Sequence, residues 1–512
     1  MGVKIIELKL PTDYTDAGLK QMIATKLRLK EFTFQIEHKS LDARKKSNIH
    51  WLLRVAVHSS GIGGTEVSSV GKLSISYKKR NKRVLVTGSG PAGFFAALVL
   101  QQAGFDTIVL ERGMDVGRRE RGIRNFEKTG EFNPVANYSF GEGGAGTFSD
   151  GKLTSRSKHI SKERDFILSS YVEAGAPAEI QYMAYPHVGS DNLKVVVQHL
   201  REKYMKLGGQ IRFENILRDI KVKNGTVSDG ITDNDSFPAT YFIVAPGHSA
   251  YETYRMLMDR GVLFRTKNFA IGCRAEHRQE VINQAQWGIR ELPGVKAAEY
   301  RLTSEADGHH PVYSFCMCPG GMVVPAATYA NINIVNGMSN YRRNGKFANA
   351  ACVAGIHPDQ LAGRKLSPPE ALKWLENLEQ TFYAYTNGYR APFCSIGDFI
   401  RGEETISIPE TSYPLGLLPA PLWNMLPPVI TDALRWGLAD FSRKIKGYEN
   451  GILLGLESKT SSPIQVLREK NGLCTGFQNL FLSGEGSGYA GGIISSAADG
   501  IRTALQIIER ES

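Results

Sequence analysis

The 512-residue sequence has no run of 18 apolar residues, few cysteines and no spacing typical of metal ligands. Without a long apolar run, no transmembrane helix is predicted. The six cysteines are too few and too scattered for a disulfide scaffold or a zinc finger. The N-terminal segment is charged and alternating, unlike the apolar core of a signal peptide. We expect a soluble, cytoplasmic protein that binds no metal and has no integral membrane association.

Several catalytic signatures are missing as well. The sequence contains neither a P-loop nor the nucleophile elbow of a Ser–His–Asp hydrolase. Its composition, 42% hydrophobic and 22% charged, excludes a disordered or fibrous chain. Glycine, in contrast, is abundant at 53 residues. This surplus indicates loops that need unusual backbone angles or a close approach to a ligand.

Nearly all of the net positive charge lies in the N-terminal region. The chain has a net charge of +11, and residues 1–83 alone contain 17 lysines and arginines against 7 acidic residues. Residue periodicity predicts a small α+β module here. Its elements are the strand Val3–Leu10, the helix Thr15–Leu29, the strands Phe32–His38 and His50–His58, and a closing Gly/Ser-rich stretch, Ser59–Gly64.

This basic module has three candidate roles. Its charges are dispersed and no RNP-type aromatic motif accompanies them, which favours a solvated basic face. Contact with RNA or DNA is the main alternative, and binding of an acidic protein or a phosphorylated substrate is the third.

A glycine-rich turn follows the apolar strand Arg83–Thr87. The segment Gly88-Ser-Gly-Pro-Ala-Gly93 has the dinucleotide-binding pattern Gly-x-Gly-x-x-Gly, and a helix and a second strand, Thr107–Leu110, come after it. The glycines permit a sharp turn, a close approach of the backbone to a pyrophosphate, and tight packing of the helix on the strand. Glu111 ends the second strand, where it can accept hydrogen bonds from a ribose diol. The helix N-terminus is predicted to bind the phosphates.

A second glycine-rich turn identifies the dinucleotide. The strand-like segment Asn479–Ser483 leads into Gly484-Glu-Gly-Ser-Gly-Tyr-Ala-Gly-Gly492, which opens a helix from Ile493 to about Glu509. This arrangement resembles the second flavin motif of the glutathione-reductase superfamily. There the acid, here Glu485, binds the ribitol or phosphate region, and the helix N-terminus faces the N1–C2=O edge of the isoalloxazine. We expect FAD here, because a separate NAD domain would need a further strand and a further acid.

Other segments resemble the same superfamily. The loop Gly141–Gly151 falls where the pyrophosphate and the flavin edge are wrapped, although a flexible surface loop is the alternative. Thr240–Gly247 resembles a strand that ends in Ala-Thr-Gly, with Pro246 in place of threonine. The predicted FAD-binding residues are Gly88, Gly90, Pro91, Ala92, Gly93, Glu111, Arg112, Gly143, Gly144, Thr147, Asp150, Leu217, Ala245, Gly247, Gly484, Glu485, Gly491, Gly492 and Ile493.

Over nearly its whole length the chain resembles the bacterial FAD-dependent dehydrogenases, also called NAD(FAD)-utilising dehydrogenases, whose substrate is not established. The matching segments are Ser40–Lys46, Ser139–Lys152, Tyr185–Asp191, Ala270–His277, Tyr313–Gly321, Asn336–Ser339, Glu457–Pro463 and Gly484–Asp499. The resemblance implies a glutathione-reductase-type fold and FAD as the cofactor, and it leaves the reaction open.

Cys316 and Cys318 are candidates for chemistry at the flavin. They precede Pro-Gly-Gly between the predicted strands Val312–Phe315 and Met322–Ala326, which are expected to form a hairpin. The two thiols are either a redox dithiol or small buried side chains.

Three histidines, His187, His248 and His277, are candidate acids or bases, and a structural role is the alternative for each. Arg274 and Glu276 are either substrate ligands or an ion pair on one strand.

The sequence therefore predicts an α/β flavoprotein. Residues 1–82 form the basic module, 83–262 and 452–512 a discontinuous Rossmann-like FAD-binding domain, and 263–451 a mainly β substrate domain. The predicted function is an FAD-dependent oxidoreductase that transfers hydride between flavin and a small organic substrate, with NAD(P)H as a candidate transient donor. The alternatives are a flavin-dependent RNA-modifying enzyme that uses the basic module and a flavin-bound regulator without turnover.

Overall fold

The computed structural model describes residues 2–63, 73–155 and 157–512. Gly64, the last residue of the predicted Gly/Ser-rich stretch, lies outside these ranges. The N-terminal elements are β1 (Gly2–Leu10), α1 (Asp16–Leu27), β2 (Thr33–Asp42) and β3 (His50–Ser59).

The N-terminal module is the α+β unit that the periodicity predicts. Its three strands form an antiparallel sheet in the order β1-β3-β2. Alternate residues of β1 and β3, such as Leu8 and Val55, are buried with Leu19 and Ile23 of α1. The edge strand β2 is hydrogen-bonded to the rest of the protein, since Lys39 exchanges backbone bonds of 2.8 and 2.9 Å with the segment at residues 182–184.

The next part of the chain alternates strands and helices. It contains β4 (Arg83–Thr87), α2 (Pro91–Gln102), β5 (Asp106–Leu110), α3 (Val116–Thr129), α4 (Ser161–Glu173), α5 (Gly189–Lys206), β6 (Gln210–Arg212), β7 (Asp219–Lys223), β8 (Thr226–Ile231), β9 (Ser236–Pro238), β10 (Tyr241–Val244), α6 (Tyr251–Asp259) and β11 (Phe264–Thr266).

The remainder is richer in long strands. It contains β12 (Phe269–Arg278), α7 (Gln279–Trp287), β13 (Thr303–Ser304), β14 (Val312–Pro325), β15 (Val335–Ser339), β16 (Phe347–Ile356), α8 (Pro358–Ala362), α9 (Pro368–Thr386), β17 (Ala391–Ser395), α10 (Ile396–Arg401), β18 (Leu417–Pro419), α11 (Leu422–Met425), α12 (Pro428–Lys444), β19 (Ile452–Glu457), β20 (Ile464–Val466), β21 (Leu480–Leu482) and α13 (Ile493–Arg510).

A five-stranded parallel sheet in the order β21-β10-β4-β5-β6 forms the core of the part that is predicted to bind a dinucleotide. The helix α2 is buried along most of its length, because it lies against this sheet and packs on α13. The approach of the two helices needs a glycine: a Cβ on Gly500 would lie 2.0 Å from the carbonyl oxygen of Ala92. The mixed α/β class is confirmed, and the glutathione-reductase type stays a prediction.

The second large sheet has the order β13-β14-β16-β12-β19-β17-β18, with β15 paired to β14. Its core includes strand residues such as Ile271 and Ala350 together with Leu434 and Leu438 of α12. The strand β19 pairs with β12 and β17 in this sheet, although the predicted boundary at residues 451/452 places it with the dinucleotide-binding part.

The predicted hairpin at Cys316–Gly321 is wrong. Residues 312–325 form one strand, β14, which pairs with β16 up to Gly321 and with β15 from Gly321 to Pro325. Register shifts at Phe315/Cys318 and Cys318/Gly321 absorb the extra residues, so the segment is a pair of bulges instead of a turn. Positive φ angles of 44° at Cys316 and 49° at Gly320 mark these bulges.

Candidate cofactor and active site

Three glycine loops meet at one edge of the parallel sheet. We call Gly88–Gly93 the first glycine loop, Gly141–Gly151 the second and Gly484–Gly492 the third. A Cβ on Gly144 of the second loop would lie 3.0 Å from the Cα of Gly90, so the first two loops touch. The first and third loops follow the carboxyl ends of β4 and β21, where open α/β sheets bind their ligands.

The third glycine loop and the helix that follows it also contact the other two loops. A Cβ on Gly146 would lie 3.0 Å from Cγ1 of Ile493, the first residue of α13. A Cβ on Gly484 would lie 2.5 Å from the Cβ of Ala92, at the start of α2. The three segments that sequence reasoning selected separately are therefore one cluster.

The first glycine loop leaves no room for side chains. Gly88 has a φ of 96°, and a Cβ there would lie 2.2 Å from the carbonyl oxygen of Ala245. A Cβ on Gly93 would lie 2.0 Å from the carbonyl oxygen of Gly88. The helix α2 starts at Pro91 without a side-chain cap. Its first backbone N–H groups are thus available to an anion, which the helix dipole also favours.

Glu111 is buried at the end of β5, beside the first loop. Its Oε2 accepts hydrogen bonds from the backbone N–H and the hydroxyl of Ser89, at 2.9 and 2.7 Å. Its Oε1 accepts from the backbone N–H groups of Gly113 and Gly141, at 2.8 and 3.1 Å. A carboxylate has about four acceptor sites. A ribose diol would therefore have to replace one of these partners, most simply the Ser89 hydroxyl.

Arg112 points toward the second large sheet. Its guanidinium carbon lies 3.7 Å from the ring centre of Phe140, and Nη1 lies 2.6 Å from Oε1 of Glu252. The hydroxyl of Tyr329 donates to the other oxygen of Glu252. Any contact of Arg112 with the cofactor stays a prediction.

Side-chain contacts hold the second glycine loop in place near its start and at its end. The hydroxyl of Thr147 donates to the carbonyl oxygen of Glu142 at 3.1 Å, and a Cβ on Gly143 would lie 2.1 Å from that hydroxyl oxygen. At the end of the loop, Asp150 is buried and ion-paired with Arg343 and Lys152, each at 2.6 Å. These cations hold the pKa of the Asp150 carboxyl well below its usual range.

The third glycine loop carries Glu485 and leads into α13. Gly492 precedes this helix with a φ of 80°, and α13 has no side-chain cap. Oε2 of Glu485 lies 3.3 Å from Nδ1 of His248, which follows the strand β10. The hydroxyl of Tyr254 contacts the carbonyl oxygens of both Gly247 and Gly486, at 3.1 and 2.9 Å.

These residues fit a flavin dinucleotide. Two uncapped helix N-termini, those of α2 and α13, lie within one cluster of glycines, which suits a long anionic ligand. Within the described ranges, Oε1 of Glu142 and Nε2 of His248 are buried without a hydrogen-bond partner. Buried polar atoms are rarely left unpaired, so both atoms indicate a missing ligand or water.

The other predicted cofactor residues have the following places. Ala245 and Gly247 lie after β10, against the first and third loops. Leu217 is buried in the core between the parallel sheet and the hairpin β7–β8, so only its backbone is suited to an adenine contact. The structure does not test these contacts, and they stay predictions.

The two cysteines lie in the bulged part of β14. Cys318 is buried and its thiol donates to the carbonyl oxygen of Cys316 at 3.3 Å. Cys316 is exposed, yet desolvation by the surrounding protein raises the pKa of its thiol to about 12. Nearby charges of Arg274 and Lys152 oppose this rise without cancelling it.

His187 lies beside the second loop. It is buried, its Nε2 lies 3.1 Å from the carbonyl oxygen of Tyr341, and burial lowers its pKa to about 4. His277 lies within the second large sheet, with Nε2 2.7 Å from the carbonyl oxygen of Tyr448, and burial lowers its pKa to about 4 as well. Of the two, the structure brings only His187 near a glycine loop.

Arg274 and Glu276 do not form the ion pair that we considered. Arg274 pairs instead with the buried Glu457 at 2.8 Å and donates to the side-chain oxygens of Asn349 and Asn336. Glu276 accepts hydrogen bonds from Thr411 and Ser412. Sequence reasoning included Glu457 in a matched segment, but no local pattern could connect it to a residue 183 positions away.

Sequence reasoning missed Arg343 and Glu142 as parts of the site. Glu142 stands inside the glycine-rich segment, where an acid flanked by glycines is a weak signal, and Arg343 carries no sequence signal at all. In the described ranges, no group of three or more His, Cys, Asp or Glu residues could hold a metal ion, and no helix is long and apolar enough to cross a membrane.

Three known domain families match parts of this chain. Residues 81–131 match an FAD binding domain, residues 268–460 match the family "FAD-dependent protein, C-terminal domain-like", and residues 3–58 match a domain of unknown function, DUF8436. The matches support FAD as the cofactor.

A protein of Clostridium beijerinckii, described as uncharacterized, is 37% identical over 532 residues, which cover 100% of this chain and 99% of that protein. Solved structures are more distant. A flavoprotein/dehydrogenase from Cytophaga hutchinsonii is 11% identical, with 85% of this chain and 80% of that chain covered and a TM-score of 0.37. A geranylgeranyl bacteriochlorophyll reductase-like protein from Thermoplasma acidophilum is 13% identical, with 85% and 79% covered and a TM-score of 0.36. At these TM-scores neither structure carries an argument about this chain.

Proposed function

The chain belongs to the same family as the Clostridium beijerinckii protein, and we propose that it is an FAD-dependent oxidoreductase that transfers hydride between flavin and a small organic substrate. We further propose NAD(P)H as the transient electron donor. The observation that carries the proposal is the meeting of three glycine loops and two uncapped helix N-termini at the carboxyl edge of one parallel sheet.

Each part of the site has a defined task in this proposal. The first glycine loop and the N-terminus of α2 bind the pyrophosphate, and Glu111 accepts hydrogen bonds from the ribose. The second glycine loop covers the cofactor, and Asp150 fixes that loop through Arg343. The third loop and the N-terminus of α13 stabilise negative charge on the isoalloxazine. FAD, when bound, supplies the two-electron chemistry.

The second large sheet supplies the substrate side. Cys316 and Cys318 of β14 lie near Lys152, which directly follows the second glycine loop, since the charge of Lys152 acts on both cysteines. We propose that this region admits the substrate. Because β12 to β19 form one sheet, we also propose that the substrate domain extends to Glu457.

Cofactor content and turnover test the proposal. The purified chain should show the visible absorption of oxidised flavin, and chromatography after denaturation should identify the released compound as FAD. Mixed anaerobically with NADH or NADPH, the flavin should bleach, and a substrate should reoxidise it faster than buffer alone. A colourless protein that takes up no FAD would overturn the proposal. Bleaching without any acceptor-dependent reoxidation would favour the regulator instead.

A further inference from the structure

His248 lies next to the third glycine loop and has no task in the proposed cofactor site. It follows Gly247 at the carboxyl end of β10, and its side chain is only 11% exposed. Nδ1 lies 3.3 Å from Oε2 of Glu485. Nε2 is buried and, among the described residues, has no hydrogen-bond partner. A carboxylate thus holds the imidazole at one nitrogen, and the other nitrogen has no partner among the described residues.

The position of His248 relative to the third glycine loop is fixed. The hydroxyl of Tyr254 contacts the carbonyl oxygens of both Gly247 and Gly486. It thus links the segment after β10 to the third glycine loop. A Cβ on Gly486 would lie 2.9 Å from the carbonyl oxygen of Gly247, so the two backbones are already in contact. His248 and Glu485 are therefore held together by the contact between the segment after β10 and the third glycine loop.

Two carboxylates lie close to His248. Glu485 faces it directly, and a Cβ on Gly491, just before α13, would lie 3.9 Å from Oε1 of the same carboxylate. A second carboxylate, that of Glu457 on β19, interacts with the charge of His248, although burial raises the pKa of Glu457 overall.

Two cations accompany these carboxylates. Arg274 of β12 neutralises Glu457 through an ion pair of 2.8 Å. Lys267 donates to the carbonyl oxygen of Gly488 at 2.7 Å and interacts with the charge of Glu485. No hydrogen bond joins either cation to His248, whereas the carboxylate of Glu485 lies 3.3 Å from its Nδ1.

We propose that His248, paired with Glu485, takes up one proton when the flavin bound at the N-terminus of α13 is reduced. The inference rests on the proposed function. In the balanced step, an external reductant supplies two electrons and solvent supplies two protons, one to the isoalloxazine and one to the imidazole. The reduced isoalloxazine would then carry one negative charge and the imidazole of His248 one positive charge. An opposite charge nearby favours the charged form of a histidine, so reduction raises its proton affinity.

The test counts protons in the FAD-loaded protein. The midpoint potential is measured by dithionite titration with redox dyes between about pH 5 and 9, around the ordinary imidazole pKa of about 6.5. The slope against pH gives the protons taken up per two electrons. The absorption spectrum of the reduced flavin separately tells whether the ring is anionic or neutral, so ring protons can be subtracted.

In the wild-type protein we expect a pH range in which proton uptake exceeds ring protonation by one. In His248→Gln the excess should vanish, and uptake should match the ring protons at every pH. His199→Gln is the control, because His199 lies on α5 and contacts the carbonyl oxygen of Ala174. This control should keep the excess proton.

Glu485→Gln provides a second variant that does not depend on the first one folding. Loss of the carboxylate should move the range of excess uptake to lower pH, since the charged imidazole loses its partner. No excess proton in the wild type, or an unchanged excess in His248→Gln, overturns the inference and leaves the proposed function intact. A protein that binds no FAD overturns both.

Discussion

The guanidinium of Arg343 donates to both carboxylate oxygens of Asp150, with an Nε–Oδ1 distance of 3.0 Å and an Nη2–Oδ2 distance of 2.6 Å. Arg343 has a φ of 52°, which is unfavourable for a residue with a Cβ. Its carbonyl oxygen is so close to β14 that a Cβ on Gly320 would lie 1.9 Å away. One arginine thus joins the second glycine loop to the bulged part of the substrate-side strand.

Arg343→Lys should weaken FAD binding by roughly tenfold, about 1.4 kcal/mol, because a lysine cannot reproduce the two-pronged contact. The dissociation constant of FAD for the apoprotein, from flavin fluorescence, measures this. Arg342→Lys is the matched control, since Arg342 is the exposed neighbour. Equal affinities for both variants would show that the pair does not hold the loop.

Local patterns sufficed for part of this site and not for the rest. Strand Arg83–Thr87, its glycine turn and Glu111 were predictable, because each signal lies within about 25 residues and reflects a backbone requirement. The Asp150–Arg343 pair joins residues 193 positions apart and has no local signature. The Pro-Gly-Gly segment of β14 has the local signature of a turn. The strand nevertheless continues through it, because β14 pairs with β16 up to Gly321 and with β15 beyond it.

Gly93→Ala should prevent tight FAD binding. The added Cβ would meet the Gly88 carbonyl oxygen at 2.0 Å, so the turn must open or α2 must shift. Overpacking of this kind costs about 1–3 kcal/mol. Gly355→Ala is the control, because no atom lies within 4 Å of its Cβ position. We expect a colourless Gly93→Ala protein and a yellow control; the opposite pattern would place the cofactor elsewhere.

Arg274→Met should strongly destabilise the second large sheet. The substitution leaves Glu457 buried without a cation, and the side-chain oxygens of Asn336 and Asn349 lose a donor. Removing one partner of a buried pair costs about 3–5 kcal/mol. Arg278→Met, on the same strand, breaks an exposed pair with Glu410 and should cost about 0–1 kcal/mol. Urea unfolding followed by tryptophan fluorescence would compare the two, and similar midpoints would contradict the prediction.

His187 makes stability depend on pH in a defined range. Its pKa is about 4 in the folded protein, below the ordinary value of 6.5, so the unfolded chain binds more protons between these values. The contribution of His187 to the free energy of unfolding is therefore fully present above pH 6.5. It falls as the pH drops toward 4, by up to about 1.4 kcal/mol per pH unit. His187→Gln should make the urea midpoint less dependent on pH in this range. An unchanged slope would mean that the imidazole is charged in the folded state.

Cys316 and Cys318 should not exchange electrons with the flavin. Disulfide exchange needs a thiolate, and desolvation by the surrounding protein raises the pKa of both thiols. An anaerobic dithionite titration of the FAD-loaded protein as isolated should therefore consume two electrons per FAD, since a disulfide would require four. Cys316→Ser should leave this count unchanged. Uptake of four electrons that falls to two in Cys316→Ser would instead establish a redox dithiol in the bulge of β14.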